Sequence, residues 1–234
     1  MFTFEYHTRY GDYKDFENIK VSSVLDMIQD VSTKDSARCG YDMQRLKNIK
    51  MAWLMQGINV HFVAPVKTGL PVEISTAVKT LKGTTSERGC FIRQNGNIVA
   101  KSIANWFLFD TGKNKIGRIP PEMMDAYEFF KFEDEFFEYK KAPLFEIPKP
   151  EYTVKIANKE IDTNGHLNNQ KGAELLMDAL PFDFKFNSIN LIYKKQAYLG
   201  DELGVCVKEI PNGYYVNLQT KENEICVAGT FENV

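Results

Sequence analysis

No apolar run in the sequence approaches the roughly 18 residues that a membrane-spanning helix requires, so no membrane span is expected. The first residues, MFTFEYHTRYGDYKD, show neither a basic segment leading into an apolar stretch nor the Arg- and Ser-rich, acid-poor character of a transit peptide. Secretion and organelle import are therefore not expected, and a cytoplasmic location is. Charge imbalance is lacking as well. A formal net charge of −2 and a sequence pI near 6.0 give no global electrostatic case for nucleic acid or for an anionic membrane surface.

Cysteine is scarce and scattered. Cys39, Cys90, Cys206 and Cys226 form no CxxC pair and no compact framework, which points to reduced thiols in the core and away from disulfides or a zinc site. None of them has a histidine beside it in sequence, and no GxSxG elbow is present. A covalent serine or cysteine nucleophile is thus not indicated. Of the histidines, His7 and His61 lie in no polar cluster, and such residues are ordinarily surface or satisfied core groups.

What the sequence does contain is enough apolar material to build a core: 44% of its 234 residues are hydrophobic, which allows one large domain or two of about 110 residues. Val21, Val24, Leu25, Ile28 and Val31 recur at helical spacing and predict an amphipathic helix over 21–38, stopped by Gly40. Strand-like runs follow over 51–64, 70–81, 85–95 and 98–110. The same order returns after residue 150. Tyr152, Val154 and Ile156 alternate, Ala173, Leu176, Met177 and Leu180 keep helical spacing up to Pro181, and alternation resumes around 189–193, 203–207, 214–218 and 225–231.

The repetition extends to residues. PVKTGLPVEIS at 65–75 parallels AYLGDELGVCV at 197–207, each turning on a glycine, and IVAKSIANWF resembles ICVAGTFENV in pattern. A period this long is not a solenoid, so it predicts duplication of a whole α+β unit. The expected organisation is an N-terminal unit over 1–120, a connector over 121–150 rich in aromatics, acids and prolines, and a C-terminal unit over 151–234. Pro143, Pro148 and Pro150 mark the connector's exit, and its composition suits a segment that packs on a surface more than a flexible tether.

One stretch concentrates polar chemistry. EIDTNGHLNNQKGAELLMDALP, Glu160 to Pro181, puts Asp162, Asn164, His166, Asn168 and Asn169 directly before the second helical pattern. A long helix against an antiparallel sheet in this order is the hotdog pattern, and the chain resembles the acyl-acyl-carrier-protein (acyl-ACP) thioesterases. That family's Asp-x-Asn-x-His-x-Asn-Asn motif is matched by Asp162, Asn164, His166, Asn168 and Asn169. MAWLMQGINVHFVAPVKTGLPVEIST, ANWFLFD and GRIP in the first copy resemble the family's framing segments. The resemblance covers nearly the whole chain and implies a double-hotdog α+β fold that hydrolyses fatty acyl thioesters without metal or organic cofactor.

On that reading, Asp162, Asn164 and His166, at alternate positions of an extended segment, project to one side. An imidazole takes up a proton near neutral pH, and Asp162 either orients it or itself binds the water. Asn164 holds the water or the thioester carbonyl, and the N–H groups of the helix's first turn serve the oxyanion. Asn168 or Asn169 is expected to cap the helix.

The sequence departs from the family at YKKQA, where Gln196 and Ala197 stand in place of a Glu-Cys pair. Gln196 is kept as a site residue because its amide still donates and accepts hydrogen bonds. The first copy, with YGDYKDFENIK before its helix, lacks the histidine and is expected to be silent. By resemblance it holds the acyl chain, with Val24, Leu25, Ile28 and Trp53 as candidate lining, although such a stripe is also ordinary core. The implied partner is acyl carrier protein, docked on Lys155, Lys159, Lys171, Lys185, Lys194 and Lys195. The chain would be a monomer built as a pseudo-dimer, or a homodimer. Hydrolysis of acyl-CoA, enoyl hydration on the same fold, and a non-catalytic acyl-binding protein are the competing readings.

Overall fold

The computed structural model describes residues 1–147 and 149–234; Pro148 lies outside the described residues. The elements in chain order are β1 (Phe2–Tyr6), α1 (Val21–Arg38), α2 (Met43–Asn48), β2 (Met51–Phe62), β3 (Val72–Lys82), β4 (Thr85–Gln94), β5 (Asn97–Asp110), β6 (Lys115–Ile116) and α3 (Pro121–Ala126). They are followed by β7 (Tyr152–Lys155), α4 (Asn169–Met177), β8 (Ser188–Tyr193), β9 (Glu202–Ile210), β10 (Gly213–Gln219) and β11 (Ile225–Glu232). The chain divides into two compact units, residues 1–56 with 60–139, and residues 57–59 with 140–234.

In the first unit the antiparallel strands run in the order β1-β3-β4-β5-β2, and in the second β8-β11-β10-β9-β7. Read from the first strand of each copy, the two orders are the same. Each sheet carries one principal helix, α1 on β3 and β1, and α4 on β11 and β10. Both units are hotdogs, and the chain is a double hotdog of the α+β class.

The helices pack for the reasons their spacing predicts. On α1, Val24, Leu25, Met27, Ile28 and Val31 are buried, and Asp35 joins them because it pairs with Arg88 of β4 at 2.6 Å and Arg38 at 3.0 Å. A buried carboxylate is tolerated only with such partners. The second helix is shorter than the apolar spacing predicts. Regular α-helix ends at Met177, and Leu180 lies beyond it. Pro181 disfavours helical geometry at the preceding residue, and the chain tightens into bonds from Ala179 N to Leu176 O and from Leu180 N to Met177 O.

Residues 129–147 form a strap over the sheets. Phe130 N donates to Val78 O at 2.9 Å, and Phe132 and Phe137 stack at 4.2 Å over Ala77 and Ile103. Lys79 donates to Phe137 O at 2.8 Å, and Lys101 pairs with Asp134. That ammonium, helped by the Phe136 N–H, holds the Asp134 carboxyl below the usual range. Within the second unit, Phe145 meets Tyr215 edge-on at 4.9 Å, beside Ala142, Ile192 and Ala228.

The strap lies on the face of each sheet away from the helix. Arg88 reaches α1 while its neighbour Gly89 meets the strap. Likewise Val227 lies beside Gly172 of α4 while its neighbour Ala228 packs under the strap.

Gly89 is the tight point of that cover, because a Cβ there would fall 2.5 Å from the Phe132 ring and 2.9 Å from that of Phe137. Gly89→Ala is expected to lower stability by about 1–3 kcal/mol through overpacking. A melt followed by circular dichroism checks it, with a drop of roughly 2–4 °C per kcal/mol for a chain of this size.

Candidate functional site

Both copies enter their helix through the same backbone construction. In the first, a 3-10 turn at Tyr10–Asp12 is closed by a bond from Arg9 N to the Asp12 carboxylate at 2.8 Å. In the second, the turn Asn158–Glu160 is closed by Ala157 N to the Glu160 carboxylate at 2.6 Å. The carbonyl of each acid then accepts from the residue that caps the helix, Lys20 N in one copy and Asn168 N in the other, at 2.8 Å in both. Between these points the chain makes a loop closed by a bridge, Tyr13 with Ile19 and Ile161 with Leu167. Ile19 N donates to Val66 O, and Leu167 N to Ala197 O, again at 2.8 Å in both.

Equivalent backbone positions therefore carry different chemistry. Lys14 N bonds Asn18 O at 2.9 Å, as Asp162 N bonds His166 O at 2.9 Å. Asn18 thus stands where His166 stands, Val66 where Ala197 stands, and Lys67 where Tyr198 stands. The first copy has no imidazole on this loop.

Residues 162–166 are a turn, not the extended segment that alternate projection assumed. Asn164-Gly165 supplies the reason, with Gly165 in the left-handed region at φ 81°. The Asp162 carboxylate accepts from Asn164 N at 2.8 Å and His166 N at 3.3 Å, while its other oxygen takes the Asn164 side-chain amide at 3.3 Å. The turn brings Asp162, Asn164 and the His166 backbone together. Among the described residues, no hydrogen bond joins that carboxylate to the imidazole ring. Asp162 holds the loop on which His166 sits.

The His166 ring, half-buried, meets the ring of Tyr198 edge-on, with centroids 5.1 Å apart and planes at 77°. The Tyr198 hydroxyl donates to Gln196 Oε1 at 3.2 Å. Gln196 is therefore linked to the histidine by way of Tyr198, a residue that apolar periodicity and polar clustering do not single out. Its only sequence signal is its place immediately after Gln196-Ala197.

Asn168 is the helix cap, accepting from Gln170 N at 2.8 Å and Lys171 N at 3.4 Å. These first-turn donors are consequently engaged, together with Leu167 N and Asn168 N. The expectation that first-turn N–H groups stand free for an oxyanion is corrected for these residues. The positive helix end itself remains beside His166.

The remaining candidates separate. Val24, Leu25 and Ile28 are buried on α1, and Trp53 packs against a cluster that includes Tyr41, Leu108, Met123 and Tyr127. Lys159, Lys171 and Lys195 pair with Glu160, Glu174 and Glu224, whereas Lys155, Lys185 and Lys194 are exposed. All four cysteines are free thiols. Burial pushes Cys226 up to about 11 and raises Cys39, Cys90 and Cys206, so these sulfurs are poor thiolate nucleophiles. A cavity of about 360 Å³ in the first unit, between β1 and α1, is lined by residues including Tyr6, Asp12, Asp26, Asp30 and Lys34. It holds none of the motif residues. Among the described residues, no three His, Cys, Asp or Glu side chains are grouped to hold a metal ion, and no helix is long and apolar enough to cross a membrane.

Comparison with known proteins agrees with this construction. The acyl-ACP thioesterase N-terminal domain matches residues 1–127, and the acyl-ACP thioesterase C-terminal domain matches residues 145–230. The chain belongs to the acyl-ACP thioesterase family, and it is a thioester hydrolase. No curated protein sequence matches it.

Among solved structures, an acyl-ACP thioesterase from Bacteroides thetaiotaomicron superposes with a TM-score of 0.89 at 14% identity, covering 98% of this chain and 96% of that one. A 12:0-ACP thioesterase from Umbellularia californica gives 0.85 at 14% identity, covering 99% and 96%. At such identities these likenesses speak to the fold alone.

Replacing the cap by Asn168→Ala is expected to cost about 1 kcal/mol of stability and to loosen the loop hung from it. Thermal melting reads the first effect, and amide hydrogen exchange at Gln170 and Lys171 reads the second.

Proposed function

We propose that the protein hydrolyses fatty acyl thioesters of acyl carrier protein, releasing free fatty acid and holo carrier protein. His166 is the base. It takes a proton from water, the hydroxide adds to the thioester carbonyl, and the tetrahedral intermediate expels the pantetheine sulfur, which recovers the proton from the imidazolium. Asp162 acts through the loop it ties, keeping His166 and Asn164 in register. The Asn164 amide and the positive end of α4 face the charge that develops on the carbonyl oxygen. One observation carries this reading: a loop closed by the same bridge and the same flanking backbone bonds in both copies bears Asp162, Asn164 and His166 in one and no imidazole in the other.

The first unit receives the acyl chain on this proposal, with Val24, Leu25, Ile28 and Trp53 as apolar lining. Lys155, Lys185 and Lys194, exposed and outside the ion pairs described, are assigned to the acidic surface of the carrier protein. Ion pairs between exposed groups are weak, so Lys195, whose pair with Glu224 is open to solvent at both ends, can exchange that partner for the carrier's surface.

Turnover of a panel of acyl-ACP and acyl-CoA thioesters, followed by free thiol release, is the direct test. His166→Ala is expected to lose at least about 100-fold in kcat while its circular dichroism is unchanged, the scale of general base catalysis. Asp162→Asn retains an oxygen for the Asn164 and His166 amides and should keep more activity than Asp162→Ala, which opens the turn. Wild-type rates in folded His166→Ala would remove the imidazole from the mechanism.

Carrier choice has its own test. Combined Lys155→Glu, Lys185→Glu and Lys194→Glu should raise KM for acyl-ACP about 10-fold, with little change for acyl-CoA. Equal effects on both carriers would withdraw these lysines from docking, and a CoA-only enzyme would identify the acyl-CoA reading as correct.

A further inference from the structure

We infer that Tyr198 is a positioning residue for His166, and that Gln196 acts through it by holding the Tyr198 hydroxyl. The inference rests on His166 being the base, and it concerns what fixes that ring.

His166 sits on a turn, and the Asp162 carboxylate is occupied with backbone amides. An imidazole so placed, without a hydrogen bond to that acid, needs some other contact to select one staggered rotamer. The edge-on contact with Tyr198 lies within the range where aromatic pairs attract, with centroids 5.1 Å apart.

The backbone under Tyr198 is tied by several hydrogen bonds although the residue is 49% exposed. Leu167 N to Ala197 O, at 2.8 Å, locks together the residues adjoining His166 and Tyr198. Tyr198 N donates to the Asp201 carboxylate at 2.8 Å, Asp201 N donates to Tyr198 O at 3.1 Å, and Gly200 N donates to Ile156 O at 2.9 Å. The phenol then donates to Gln196 Oε1. Both ends of the ring are therefore held.

The silent copy shows that the fold does not demand this pair. At the equivalent positions, Asn18 and Lys67 face one another, with Lys67 Nζ donating to Asn18 Oδ1 at 3.1 Å. An amide and an ammonium suffice to close that corner. The aromatic pair belongs to the copy that carries the histidine. It also gives Gln196 a role that needs no charge, since a neutral amide oxygen accepts the phenol's hydrogen bond as a carboxylate would.

The test uses the full-length protein with the best acyl thioester of the panel. Tyr198→Ala is expected to lower kcat about 3- to 10-fold, the range of an aromatic pair interaction, with KM changed less than 2-fold. Tyr198→Phe keeps the ring and should restore most of kcat. Gln196→Ala should match Tyr198→Phe, and the double variant should be no worse than either single, as expected for residues acting in one chain. The His166 imidazole proton resonances should move in Tyr198→Ala and stay nearly in place in Tyr198→Phe. A wild type that hydrolyses thioesters, with Tyr198→Ala at unchanged kcat or with unmoved His166 resonances, would overturn the inference alone. A wild type without hydrolysis, or full activity in His166→Ala, would bring down the functional reading and this inference together.

Discussion

The hydrogen bond from Leu167 N to Ala197 O is the constraint on which the rest of the site depends. It ties the loop that precedes α4 to the turn that leads into β9, two segments distant in sequence. His166 and Tyr198 adjoin its two ends, so their side chains meet without either loop having to be rigid by itself. Cap, turn and 3-10 corner then supply the remaining restraints. Each is a local bond of ordinary strength, and their joint effect is to fix the backbone that carries His166 beside the helix N-terminus.

The same economy governs the opposite face of the sheets. A strap without regular secondary structure for most of its length stays in place because glycines let it approach. Gly89 admits Phe132 and Phe137, and beyond the strap Gly204 admits Pro150, whose Cβ would lie 2.8 Å from an added Cβ. Lys79 satisfies a strap carbonyl, and Lys101 holds a strap carboxylate. Residues 129–139 are thus part of the first unit's packing and residues 140–147 part of the second's.

Much of this architecture is legible in the sequence, because helices and strands with one buried face announce their period. Residues 21–38 are helical as Val24, Leu25, Ile28 and Val31 predict, and the alternating runs become β2–β5 and β8–β11. What escapes notice lacks such a face. α2 buries none of its residues and is held by Asp42, which accepts from Arg45 N at 2.6 Å. β1 exposes its central three residues and is recognised only by its pairing with β3. At the candidate site, local geometry is not legible in the sequence. Asn164-Gly165 is a turn signal, whereas alternate spacing predicts an extended segment. Tyr198 is invisible until the fold brings two loops together.

The duplication lies within one polypeptide, and this separates it from an assembly of two identical chains. In a homodimer, symmetry repeats every substitution on both subunits, so a histidine gained on one loop appears on the other. Here the two loops have independent codons. One corner carries imidazole and phenol while its counterpart carries amide and ammonium, with backbone bonds of the same 2.8 Å beneath both. Asymmetry of chemistry on symmetry of scaffold is closed to two identical chains and open to a fused pair, and it frees each corner to change without the other.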